Sequence, residues 1–560
     1  MKFFLRILAL LAVLVGLQAC GKSQSVGLSE SLPLAPGADC VFGGEQVVSG
    51  NDANNNSQLE PAEIASSEFE CFATLSAFTG IVYREVVDND SASFWWSSLD
   101  GQAKRQLPIP TSHQVIGISL SPDKSHLAIK FRETDEYPWQ LMVVPLLNLG
   151  AAVTVSGTVV EDGNVSGFAW SPQSDYVAFT GDLDIDGKVE LFVSDLSGNR
   201  QQIHGEFASD RDVSSFAWSP TANRLAYLLD DQVNNQYRLH TVTAVGSNHQ
   251  IVTEEVVEDG DVSTHYAWSP DGTYLAFIGD MEIDGVDQLY SAYFDGSGLQ
   301  TVSDNLFAFE GVTEFYWAPD SSRLVYLESD TNSGITSAHT VLPNGDEATL
   351  VSGFMSFDRK VSSIKWSPSG NELAFIADKD ELEEQQLYRV AANSDAPVLT
   401  SPAMAEGGDI LDFFWHPNSE DILVYGDITV DEQVELFVTN LGFWQSTEFM
   451  GLPFTSVSET QWSGEGVGAF TADAEINEVP YLYLLNLNDS IAIDNITVPI
   501  HATAITWGHS WQPQGNLLAF LVDDSAPGLT DLWIYDSITD ESFNLSQAAT
   551  KGASVDYYIW

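Results

Sequence analysis

The sequence predicts an all-β chain: a β-propeller of about ten four-stranded blades, closed into one ring by a blade shared between the two ends. Three observations carry this expectation. An anchor residue recurs at Leu120, Trp170, Trp218, Trp268, Trp317, Trp366, Trp415, Trp462, Trp511 and Trp560, at intervals of 47 to 50 residues. Each anchor through Trp511 ends a short apolar run and is followed by a turn related to Ser-Pro-Asp-Gly, intact at Ser269-Pro270-Asp271-Gly272. The ends are complementary: GIVYREV and SFWWSSLDGQAKRQL read as a unit without its first strand, and VDYYIW reads as that strand. A fixed period near this length, built from short alternating strands, marks blades that must stack because one blade cannot bury both faces alone.

Within a unit the elements follow in order. An apolar first strand ends at the anchor, and proline sets φ at the bend after it. A second strand such as YVAF (176–179) or YLAF (274–277) comes next. A polar loop leads to a third strand, as in ELFVSDLSG or QLYSAYFDGSG, and a polar fourth strand completes the blade. The turn is eroded in places: Trp462-Ser463-Gly464 lacks the proline and Trp415-His416-Pro417 lacks the serine. Nine internal units plus one shared unit leave two arrangements open, one large ring or two smaller ones, and the shared blade favours one ring.

These units resemble the WD40-like PD40 repeats of TolB-type propellers over about residues 80–560. Such repeats also occur in tricorn protease and in the propeller domains of prolyl oligopeptidase relatives. The resemblance implies a non-catalytic scaffold whose partner is another envelope protein.

The N-terminus predicts export. Lys2 and Arg6 precede an apolar run from Ile7 to Leu17, too short to span a bilayer and suited to the core of a signal peptide. The run leads to Leu17-Gln18-Ala19-Cys20, which resembles the lipobox of bacterial lipoproteins. The resemblance implies that residues 1–19 are removed, that Cys20 carries lipid, and that this lipid is the only membrane contact. Gly21 after Cys20, rather than Asp, points to the outer membrane, with a periplasmic or surface-facing domain. Residues 20–39, rich in Ser, Gly and Pro, read as a flexible tether. Cys40 and Cys71 are then the remaining cysteines, and in an exported chain two cysteines most simply form a disulfide, here bounding a small module at 40–72. Closing such a loop contributes roughly 3–4 kcal/mol in the chain-entropy view.

Inside that module, SGNDANNNSQLEPAEI places oxygen-bearing residues at alternating positions from Asp52: Asn54, Asn56, Gln58 through its carbonyl, Glu60, and finally Glu63. A hard cation takes six to eight oxygens, and this spacing lets a short loop wrap one Ca²⁺. The stretch resembles an EF-hand-type loop, with Ser57 standing where that loop has glycine. The competing reading is an Asn-rich turn bonded to its own backbone. The stretch GDLDIDG suggests a second, weaker cation site at Asp182, Asp184 and Asp186. Its twelfth position is Val193, which cannot close a calcium loop, so its first reading is a turn between the second and third strands of a blade.

Charge narrows the function. Lys and Arg number 21 against 80 Asp and Glu, a formal net of −59. Such a surface repels phosphate backbones and argues against nucleic acid as a partner. It suits a basic protein or cations, or simply a solvated rim. No nucleophile elbow, zinc motif or phosphate loop occurs: Gly508-His509-Ser510-Trp511-Gln512 fails at its last position. The sequence therefore predicts a protein-binding scaffold without catalysis. A calcium-dependent adhesin or glycan binder, and a hydrolase or lyase with carboxylates in the channel, are the competing classes.

Overall fold

The computed structural model describes residues 26–34, 44–52 and 64–71, and from 80 to 560 all but 89–90, 102–103, 147–151, 205–211, 231–235, 254–255, 304–305, 382, 402–403, 429–433, 441–442, 447–459, 473–479, 488–491, 497–505, 514, 527–528 and 547–553. The expected signal peptide, Cys20 and Cys40 lie outside the described residues, as do Asn54, Asn56, Gln58 and Glu63 of the calcium-like loop.

Three N-terminal strands, Val26–Leu34 (β1), Gly44–Asp52 (β2) and Ile64–Cys71 (β3), form an antiparallel sheet in that order. β1 lies within the segment read as a tether over 20–39. Val26, Leu28, Leu32 and Leu34 share one side of an alternating pattern, and the Ser, Gly and Pro between them hid it in composition. The calcium-like loop is therefore the connection from β2 to β3, with Asp52 paired to Val26 at its start. Cys71 lies opposite Gly44.

The remaining strands form ten antiparallel sheets. In blade 1, Ser554–Ile559 is the first strand, paired to Gly80–Asp88 and followed by Ser91–Ser98 and Lys104–Gln106. Blades 2 to 10 follow along the chain, each with strands a to d. Blade 3 comprises Val165–Trp170, Tyr176–Gly181, Glu190–Asp195 and Arg200–Gln202. Blade 5 comprises Val262–Trp268, Tyr274–Gly279, Gln288–Tyr293 and Gln300–Thr301. Blade 6 has Glu310–Trp317, Leu324–Asp330 and Ile335–Val341, with only a bridge from Thr340 to Thr349 in place of strand d.

Burial follows position in the sheet. Strands b and c are buried nearly throughout, as in Leu275–Phe277 and Leu289–Ala292. Strand a is only partly covered, and the a strands of successive blades touch one another, as blades 4 and 5 do. Crowding of this kind places strand a at the inner edge. In blades 2, 3, 4, 6, 7 and 8 strand a bulges by one residue, and the extra residue is exposed: Ile116, Ser166, Ser214, Thr313, Ser362 and Leu411.

The apolar side chains collect in ten clusters, and every cluster joins two successive blades. Val82 and Phe94 of blade 1 pack on Leu127 and Ile129 of blade 2. Around the ring, Leu532 and Ile534 of blade 10 pack on Ile81, Tyr83 and Trp560 of blade 1. The packing thus runs once around a single ring of ten blades, which settles the choice between one ring and two.

The anchors explain the period. Eight indole N–H groups donate to a carbonyl of the preceding blade, always that of the residue before its anchor, at 3.0 to 3.3 Å. Trp268 reaches Ala217 at 3.2 Å, and Trp560 closes the ring on Ser510 at 3.1 Å. Among the described residues the Trp462 N–H has no partner, and its ring packs edge-on against the His416 ring. The eroded turns have a reason too. The fourth residue after the anchor is left-handed, at φ 72° for Gly272 and φ 63° for Ser321. A Cβ on Gly272 would lie 2.3 Å from Thr221 Oγ1. Where serine stands there, its hydroxyl instead accepts an N–H from the preceding blade: Asp271 on Ser321, Asp123 on Ser174, and Ser369 on Ser419, each at 3.0 Å.

Replacing Trp268 by Phe is expected to cost about 1–3 kcal/mol, since it strands a buried carbonyl and shrinks a packed ring. Trp462→Phe is expected to cost less, because no hydrogen bond is lost. Denaturant midpoints of the two variants check the difference.

Candidate functional site

Two kinds of loop crowd the same face of the ring: the turn entering strand a, and the loop joining strands b and c. The turn entering strand a recurs with one geometry, closed by an N–H to a carbonyl three residues back. Gly163 bonds Val160, Gly260 bonds Val257, Gly408 bonds Ala405, Glu310 bonds Phe307 and Arg359 bonds Ser356. The residue before each turn is an apolar anchor in a seam core: Val159, Val256, Met404, Leu306 and Met355. In blades 3, 5 and 8 the tips are Glu161-Asp162, Glu258-Asp259 and Glu406-Gly407, all exposed.

The triple-aspartate loop, Asp182-Leu183-Asp184-Ile185-Asp186, joins strands b and c of blade 3. Its three aspartates have separate tasks. Asp182 accepts the Asn164 N–H at 2.6 Å and the Gly187 N–H at 3.3 Å, so it ties the loop to the turn entering strand a. Asp280, Asp378 and Asp427 do the same in blades 5, 7 and 8, from Asp261, Lys360 and Asp409 at 2.6 to 2.7 Å. Asp184 pairs with Arg200 at 2.5 Å, and Asp186 is exposed. Among the described residues no group of three His, Cys, Asp or Glu is placed to hold a metal ion. A repeat count alone could have found the structural role of Asp182, because its register is shared by Asp280 and Asp427.

The two faces differ in how their carboxylates are held. On the face of the a–b and c–d turns, backbone and hydroxyl donors lock them. The Asn199 side chain and nearby N–H groups hold Asp195 below the usual carboxylate range. Ser297 does so for Asp295 through its hydroxyl and N–H. At Asp271 burial acts the other way, yet Ser269 and Thr273 lower it. On the opposite face Asp261 is pushed up by burial and then by Asp280 and Asp287. Asp287 is pushed up by burial and by Asp280, against a smaller opposing pull from His265. The neighbouring Tyr237 is raised by burial and by Asp230, Asp212 and Asp261. Like charges therefore crowd the rim of blades 4 and 5, even though Asp280 and Asp212 accept backbone N–H groups there. This crowding is what sequence reading missed: the acidic turns were visible, but not which carboxylates the fold crowds together.

A cleft of about 470 Å³ opens at the outer edge of blade 5, lined by Val256, Met281, Glu282, Tyr290, Gln300 and Thr301 among others. Thr301 donates to Glu282 Oε1 at 2.8 Å there.

Comparison with known proteins adds little beyond the fold. A family model described as "Domain of unknown function (DUF7151)" matches residues 27–71, the span of the three N-terminal strands. No curated protein sequence matches the chain. Among solved structures, the chain is similar to TolB from Acinetobacter baumannii, at 13% identity over 56% of this chain and 78% of that one, with a TM-score of 0.26. It is similar to oligogalacturonate lyase from Vibrio parahaemolyticus, at 14% identity over 65% of this chain and 98% of that one, with a TM-score of 0.32. A eukaryotic initiation factor aligns at 11% identity over 75% and 96%, with a TM-score of 0.45.

Two outcomes are expected. Asp182→Ala removes a carboxylate that accepts two backbone N–H groups and should cost about 1–3 kcal/mol, whereas Asp186→Ala should fall within about 0.5 kcal/mol of the parent; chemical denaturation distinguishes them. The second concerns pH. Folding raises Asp261 and Asp287, so the folded chain keeps protons that the unfolded chain releases. Their contribution is fully present below the ordinary carboxylate pKa and is lost as pH rises through the raised folded values. The double change Asp261→Asn and Asp287→Asn should therefore raise the melting temperature at neutral pH and flatten its dependence across the mildly acidic range.

Proposed function

We propose that the chain is a non-catalytic, protein-binding propeller scaffold of the bacterial envelope, anchored at the outer membrane by lipid on Cys20. The observation that carries this reading is the crowded acidic rim, where Asp261 and Asp287 are pushed up by burial and by the neighbouring Asp280. Carboxylates crowded together disfavour one another's charge, and a partner bearing Lys or Arg relieves that repulsion as it binds. Loops from successive blades stand side by side, so many contacts converge on one partner. The N-terminal strands, with the Asp52–Glu63 loop as a Ca²⁺ site and a Cys40–Cys71 disulfide, serve in this reading as a spacer between anchor and ring.

Carbodiimide coupling of carboxylates to partner amines in intact envelopes tests the reading. Cross-links should concentrate on peptides carrying Glu161, Asp162, Glu258 and Asp259, and should fade in high salt as the charges are screened. Cross-links spread evenly over both faces, or insensitive to salt, would remove the docking face.

A further inference from the structure

Blade 6 breaks the pattern of the acidic face. At the tips of the turns entering strand a, blades 3, 5 and 8 place Glu-Asp, Glu-Asp and Glu-Gly. The turn entering blade 6 is Phe307-Ala308-Phe309-Glu310, and the one entering blade 7 follows Phe354 with Ser356-Phe357-Asp358. Phe307, Phe309, Phe354 and Phe357 are 68%, 71%, 81% and 73% exposed, although Leu306 and Met355 beside them are buried. The loops are thus pinned by one apolar residue each while four phenylalanines stand in water. Scattered exposed apolar residues are ordinary, but a group of large rings on adjoining loops is not.

The rings flank one hairpin. The Thr331 N–H donates to the Phe309 carbonyl at 2.8 Å, and the Asp358 N–H donates to the Ser333 carbonyl at 3.0 Å. The b–c loop of blade 6 therefore lies between the two aromatic turns. Phe309 is also strained. It sits at φ 82°, the left-handed site that Asp162, Asp259, Gly407 and Asp358 occupy in the sister turns. Aspartate and glycine tolerate that conformation, and a bulky ring does not without cost. Strain held at an exposed position points to use of the side chain rather than to stability. The patch adjoins the acidic rim: a Cβ on Gly311, two residues after Phe309, would lie 3.7 Å from the Asp287 carbonyl oxygen.

We infer that Phe307, Phe309, Phe354 and Phe357 form the docking surface for a protein segment that combines apolar anchor side chains with Lys or Arg. The apolar anchors cover the rings, and the cations meet Glu310, Asp358 and the rim around Asp287. This rests on the scaffold reading above and specifies the chemistry of its partner.

Titration of the full-length protein with a synthetic peptide alternating Leu and Lys, followed by fluorescence anisotropy, tests it. Phe309→Asp and Phe357→Glu, which restore residue types of the sister turns, should each weaken binding about tenfold or more, as loss of an aromatic hot spot does. Ile538→Asp, an exposed apolar residue on the other face, should leave it unchanged. Phe309→Asp should also raise the melting temperature, which shows that the variant is folded and relieved of strain. Equal binding of the Leu/Lys peptide by parent and Phe variants overturns the inference, as does equal binding of a Leu/Glu peptide. Sedimentation showing a dimer that the Phe variants dissociate would assign the patch to a second copy. Flotation with anionic lipid vesicles, lost in the same variants, would assign it to a membrane. If binding disappears in the Asp261→Asn, Asp287→Asn protein but survives in the Phe variants, the scaffold reading stands and the aromatic surface falls.

Discussion

The indole N–H of eight of the nine anchor tryptophans reaches a main-chain carbonyl of the blade before it, and this recurring link spaces the ring. It lies at the inner edge, where successive a strands crowd, so both its distance and its direction fix how far one blade turns from the next. Because the accepting carbonyl always belongs to the residue before the previous anchor, the link transmits register from blade to blade. An unpaired indole or carbonyl at such a place would lose its water without compensation. The anchor interval stays between 47 and 50 residues while the loops differ in composition, so each blade presents its anchor to the same place on the blade before it. The serines at the left-handed turn position add a second link between blades, and at the Asp271-Gly272 turn the Thr221 hydroxyl of the preceding blade supplies one by donating to the Asp271 carbonyl.

The ring and its shared blade were legible because they rest on periodic features. Anchor spacing, alternating strands and the complementary ends all survive in one dimension. What could not be read was anything decided by two elements far apart in sequence. The three aspartates from Asp182 to Asp186 look alike in the chain, yet one is a backbone cap, one an ion pair and one solvent-facing. The strand at Val26–Leu34 was hidden by its own small residues, whose composition matches a linker while their spacing matches a strand. The acidic face was visible as a run of Glu-Asp turns, but the crowding of Asp261, Asp280 and Asp287 depends on how neighbouring loops meet. The aromatic turns of blades 6 and 7 were in plain view and were passed over, since only alignment by turn geometry shows that phenylalanine stands where acids are the rule.

The extreme charge follows from where the few cations go. Lys130 donates to the Ser166 carbonyl, Lys365 to Phe413 and Arg389 to Glu420, each in the next blade. Arg84 and Arg105 likewise reach Val115 and Leu146 of blade 2. These side chains join the seams between blades, and Arg84, Lys365 and Arg389 also pair with Asp556, Asp412 and Glu372. The negative surface is therefore a property of the rims, and its strength at a given site depends on whether turn donors absorb it. Donors prevail at Asp195, Asp295 and Asp271 on one face, whereas burial and like charges prevail at Asp261 and Asp287 on the other.

The closing blade has a temporal consequence. Val82 pairs with Ile559, so two strands that lie side by side in the finished ring are separated by nearly the whole propeller sequence. Until Ser554–Ile559 arrives, Gly80–Asp88 keeps one edge open and the last seam lacks half its core. A ring built this way cannot lock until both partners of this pair are present, because the latch joins strands from opposite ends of the propeller sequence. Contacts of such long sequence separation form slowly. The nine internal blades can stack in the meantime as an open arc, and an open strand edge is the place where a neighbouring chain could add on. Closure of the ring is thus also the step that ends its exposure to misassembly.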